Sequence, residues 1–168
     1  MTSPSSSENA WLSAFGTEGA VYGNILVSGM IVVAGTHGAT AWTVLITVIG
    51  TVLVFWAAHV YAGTLSMHVA DDGDPHPLSH SFRLALRRSV GMLVAALLPS
   101  LVLLLGTFKI IDDQLALWVA LWLGVVVLGA IGYLVYARRG SSMAVRLLGS
   151  LSSAGFGIVM VLLKAFVH

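Results

Sequence analysis

The chain has 168 residues, of which 58% are hydrophobic and only 9% charged, with a mean hydropathy of +0.95. Too few charges are present to cover a water-soluble globule, where about 25% is ordinary, and too much apolar surface to remain disordered. A net charge of +1 without a concentrated basic face excludes nucleic acid as a partner, and the lack of cysteine excludes disulfides and thiolate metal sites. 

The composition therefore predicts an integral membrane protein whose partner is the lipid bilayer. Its fold class is all-α, a polytopic membrane helix bundle of about five transmembrane helices, because an apolar stretch of about 20 residues crosses the hydrocarbon core as helix. The alternating pattern of a membrane β-barrel is missing.

Residues 1–17 are rich in serine and read as a disordered or interfacial tail, with Trp11, Leu12 and Phe15 at helical spacing. No lysine or arginine occurs before Arg83, so the basic start of a secretory signal is lacking, and the first apolar stretch, 20–35, is expected to be a retained span. It is the shortest and weakest of the five. Gly19 and Gly23 at its start are spaced for close helix approach.

The second span is predicted over 41–69. His59 is the one ionisable residue well inside a predicted span, a position that is costly in lipid and points toward the bundle interior. Gly63 and Ser66 lie on nearly the same helical face. Three roles fit an imidazole here: a hydrogen-bonded structural group, a proton-relay or substrate site, and a haem ligand. His68, nine residues further on, falls on the opposite face, so one straight helix cannot join both histidines in a metal site.

A cytoplasmic hinge is expected over 70–81, where Pro75 and Pro77 stop the helix. Its Asp71, Asp72, Asp74, His76 and His80 include metal-ligating residue types, but the spacing is neither that of a calcium loop nor of a zinc-protease helix. The aspartates have Arg83, Arg87 and Arg88 nearby to balance them. No cofactor is expected.

The third span is predicted over 89–108 and the fourth over 114–136. Between them, Lys109 ends one helix while Asp112 and Asp113 begin the next, as helix dipoles favour. Ala120 and Gly124 repeat the small-residue spacing, and Trp118 and Trp122 suit an interfacial aromatic belt. The fifth span, 143–166, carries Gly149, Ser153 and Gly157 every four residues, a helix-packing face. It serves either packing within the chain or a homodimer contact. Ser150 lies at a depth comparable to His59, which gives a candidate intramembrane polar site of His59, Ser66 and Ser150.

Orientation follows from the basic residues. Arg83, Arg87, Arg88, Arg138, Arg139 and Arg146 all fall on one side of a five-span chain, which should be cytoplasmic and able to hold anionic lipid headgroups. Only Lys109 and Lys164 fall on the other. The N-terminus is then inside and the C-terminus outside.

The runs Val54-Phe55-Trp56-Ala57-Ala58-His59-Val60-Tyr61-Ala62, Trp122-Leu123-Gly124-Val125-Val126-Val127-Leu128-Gly129 and Leu162-Leu163-Lys164-Ala165-Phe166 resemble small uncharacterised multi-pass membrane proteins of actinobacteria. The resemblance covers most of the chain after the tail. It implies a plasma-membrane location and no particular activity or site.

No GxSxG, HExxH or phosphate-binding glycine loop is present, so an enzyme is not expected. Two functions are compatible with the sequence. One is a small transport or permeation protein using His59, in a homo-oligomer. The other is a non-catalytic accessory or assembly subunit that docks a larger membrane partner through its small-residue faces.

Overall fold

The structure, a computed structural model, describes residues 18–35, 38–69 and 78–167. The expectations for the tail at 1–17 and for Asp71, Asp72, Asp74 and His76 lie outside the described residues, as does the side chain of His68.

The described residues form a bundle of five helices: α1 (Glu18–Ala34), α2 (Ala41–Val69), α3 (Leu78–Thr107), α4 (Asp113–Arg138) and α5 (Met143–Val167). The described residues contain no strand. Helices α2 to α5 are each long and apolar enough to cross a membrane. The described residues of α1 number 17, which at 1.5 Å per residue extend about 25 Å.

Helix α3 starts at Leu78, well before the predicted span at 89–108 and inside the expected hinge. From there Ser81, Ala85, Ser89 and Met92 form one buried stripe, so the early turns pack as part of the bundle. Pro99 lies inside α3 and leaves the Ala95 carbonyl without its helical donor.

The turn between α3 and α4 has the predicted polarity. Asp112 caps α4, its carboxylate accepting from the amides of Gln114 at 2.9 Å and Leu115 at 3.4 Å. Lys109 takes a left-handed conformation, φ 59°, and its ammonium donates to Asp113 at 2.5 Å. 

Helices α2, α3, α4 and α5 pack in sequence as an arc, and α1 packs against all four. The weakest predicted span is thus the central helix, bridging the two ends of the arc. Its small residues permit this: a Cβ on Gly23 would lie 2.7 Å from the Met92 carbonyl oxygen, so α1 and α3 meet backbone to backbone. The ladder Gly149, Ser153 and Gly157 faces α4. A Cβ on Gly157 would lie 2.8 Å from Val125 Cα, and one on Gly132 would meet Ser153 Oγ at 2.6 Å.

One end of the bundle can be levelled from such contacts. A Cβ on Gly106 would touch those of both Ala41 and Ala116, and one on Gly35 would touch Lys164 and Leu117. The start of α2, the end of α3, the start of α4 and the ends of α1 and α5 therefore share a level. The arginines are grouped at the opposite end.

Candidate functional site

Depth can be counted along each helix from that common level. At 1.5 Å per residue, Glu18 lies about 25 Å down α1 from Gly35, His59 about 27 Å down α2 from Ala41, and Arg88 about 27 Å down α3 from Gly106. Three ionisable side chains on three helices therefore arrive at one depth. That depth is toward the arginine-rich end of the bundle and away from the core around Val27 and Val44.

These groups line a crevice of about 400 Å³ between α1, α2 and α3, together with Gly19, Gly63, Ser66, Met67, Ala85 and Ser89. His59 is half-buried, Glu18, Ser66 and Arg88 are exposed, and Ser89 is buried. The Ser89 hydroxyl donates to the Ala85 carbonyl at 2.8 Å and keeps its lone pairs for another donor. Among the described residues no ion pair joins Glu18 to Arg88, and neither carries a side-chain hydrogen bond.

The structure brings His59 and Ser66 together in this crevice but puts Ser150 elsewhere. Ser150 packs between α5 and α4, with its hydroxyl 3.4 Å from where a Cβ on Gly129 would stand. Equal depth in the sequence did not mean a shared face, because α2 and α5 occupy opposite ends of the arc. Of the basic residues on the arginine side, Arg83, Arg87, Arg88, Arg138 and Arg139 are exposed, while Arg146 is half-buried and its Nε donates to the Ser141 carbonyl at 2.8 Å. No cluster of three metal-ligating side chains occurs among the described residues.

Two buried polar arrangements have no counterpart in the sequence-based expectations. Asn24 of α1 is fully buried and donates from Nδ2 to the Gly124 carbonyl at 2.8 Å, leaving Oδ1 without a partner among the described residues. Ser28, one turn on, is also buried against Gly124. Lys164, expected as a cation on the non-arginine side, is 0% exposed and donates to the carbonyl of Gly35 at 2.5 Å. It thus supplies a donor to a carbonyl at the C-terminus of α1, where the last carbonyls lack helical partners. Asn24 and Ser28 could have been found from their spacing of four in an apolar stretch. The burial of Lys164 depends on where α1 ends, which the sequence around Lys164 does not contain.

Between the crevice and the far end the bundle is closed. Val27, Ile31, Val44, Val48, Leu103, Leu117 and Leu121 are all essentially inaccessible and form one continuous core. No known protein family, curated protein or solved structure matches this chain.

Proposed function

We propose that the chain is a small transport or permeation protein of the plasma membrane, with its arginine-rich end in the cytoplasm, its N-terminus inside and its C-terminus outside. A small polar solute enters through the crevice beside His59. The observation that carries this reading is the meeting of Glu18, His59 and Arg88 in one open crevice, with neither the carboxylate nor the guanidinium paired within the described chain. Such convergent polar groups in a concave site are the usual mark of a binding site.

Passage needs a rearrangement, since apolar side chains close the bundle beyond the crevice. α1 is the element whose movement would open a path, because it touches all four other helices and lines the crevice. The alternative of an accessory subunit is less well supported. The small-residue ladder that would dock a partner is already packed against α4.

The test is solute entry into liposomes containing the purified protein, with inorganic cations, short carboxylates, amino acids and phosphoethanolamine offered one at a time. Saturable uptake of at least one solute is expected, reduced about tenfold or more in His59→Ala and Arg88→Gln, as loss of one charge-assisted contact implies. Uptake no faster than into empty liposomes for the whole panel overturns the reading. The topology has its own test: a reporter fused after His168 that is active only in the cytoplasm must stay silent.

A further inference from the structure

We infer that the crevice between α1, α2 and α3 is a binding site for a zwitterion that carries both a phosphate and an ammonium, the chemistry of a phosphoethanolamine group. The inference rests on the crevice being the ligand site of the proposed function, and it does not require the ligand to cross the membrane.

The argument begins with charge. Glu18 and Arg88 line the same crevice of about 400 Å³, and no ion pair joins them. A simple anion drawn to Arg88 meets the Glu18 carboxylate, and a simple cation drawn to Glu18 meets the guanidinium. A molecule with both charges satisfies both walls at once. Arginine suits the phosphate because its planar fork can donate two parallel hydrogen bonds to it. The Glu18 carboxylate accepts from the ammonium, and the Ser66 and Ser89 hydroxyls add acceptors beside it.

Depth supplies the second line. The charged groups lie about 25–27 Å from the common level of the far helix ends, so a hydrocarbon core of about 30 Å with one face at that level would have its other face beside them. That is where phospholipid headgroups reside, and the crevice is open. The same chemistry therefore has two sources, a lipid headgroup entering from the side and free phosphoethanolamine arriving from the aqueous phase.

The test is calorimetric titration of the full-length protein in dodecyl maltoside with phosphoethanolamine, dihexanoyl phosphatidylethanolamine, dihexanoyl phosphatidylglycerol, inorganic phosphate and ethanolamine. A zwitterionic probe is expected to bind about tenfold or more tightly than phosphate, ethanolamine or phosphatidylglycerol, since those make only one of the two charged contacts. Glu18→Gln and Arg88→Gln should each weaken it by a similar factor, and Arg87→Gln, one residue from Arg88 but outside the crevice, should not. Tighter binding of the short-chain lipid than of phosphoethanolamine supports the headgroup, and the reverse supports the free solute. Equal binding of phosphate and the zwitterions, indifference to Glu18→Gln, or no binding by either zwitterion overturns the inference. Zwitterion binding without flux overturns the transport reading alone, and flux without zwitterion binding overturns this inference alone.

Discussion

Gly155 and Gly157 are two residues apart on α5 but face different surroundings. A Cβ on Gly155 meets nothing within 4 Å, whereas one on Gly157 would lie 2.8 Å from Val125 Cα and 3.0 Å from Val125 Cγ2. Replacing glycine by alanine in a helix interior gains about 1 kcal/mol from backbone propensity. At Gly155 that gain stands alone, so Gly155→Ala should be up to about 1 kcal/mol more stable than the parent. At Gly157 the methyl group needs about 3.5 Å from a carbon neighbour, so α4 and α5 must part locally by about 0.7 Å. Overpacking of this kind costs about 1–3 kcal/mol. The two variants should therefore differ by about 1–3 kcal/mol in favour of Gly155→Ala. The nearest obstacle is a main-chain carbon, so trimming Val125 to alanine should not restore Gly157→Ala. Unfolding of each purified variant in mixed micelles, followed by helical circular dichroism against the SDS fraction, measures the difference. Equal stability of the two variants would refute the claim that α4 and α5 are held by close backbone contact.

Other contacts give comparable tests in the same unfolding assay. Gly124→Ala should destabilise, because its methyl would lie 2.9 Å from Ser28 Oγ; here the obstacle is a side chain, and Ser28→Ala should recover most of the loss. Lys164→Ala removes a buried hydrogen bond and most of a buried side chain, at a cost of about 3 kcal/mol. Lys164→Met keeps much of the volume and abolishes the burial of charge, so its cost should be smaller by about 1 kcal/mol or more. Asp112→Ala deletes the cap of α4 and should cost about 1 kcal/mol, with Asp112→Asn retaining most of it.

The sequence and the structure agree where local chemistry decides the outcome. The apolar stretches, the aspartate cap at the start of α4 and the grouping of six arginines at one end all follow from residues adjacent in the chain. The small-residue ladder on α5 was also legible, though not which helix it would face. Depth alone paired Ser150 with His59, and the order of the helices separated them. Azimuth around a bundle is not written in hydropathy, because in lipid the packed and the outward faces of a helix are both apolar. The same ambiguity concealed Lys164: a lysine in a last turn can reach for the interface or turn inward, and the choice here depends on the end of α1 at Gly35.

The sequence of the first span reflects its place in the bundle. A central helix must let four neighbours approach, which favours Gly19, Gly23 and Ser28 over large apolar side chains at its contacts. Its C-terminal end is served by another helix, where Lys164 donates to the Gly35 carbonyl. At its first described turn Glu18 joins His59 and Ser66 of α2 and Arg88 of α3 in lining the crevice. Helix α1 thus both packs at the centre of the bundle, through Gly23 and Ser28, and supplies the Glu18 wall of the site.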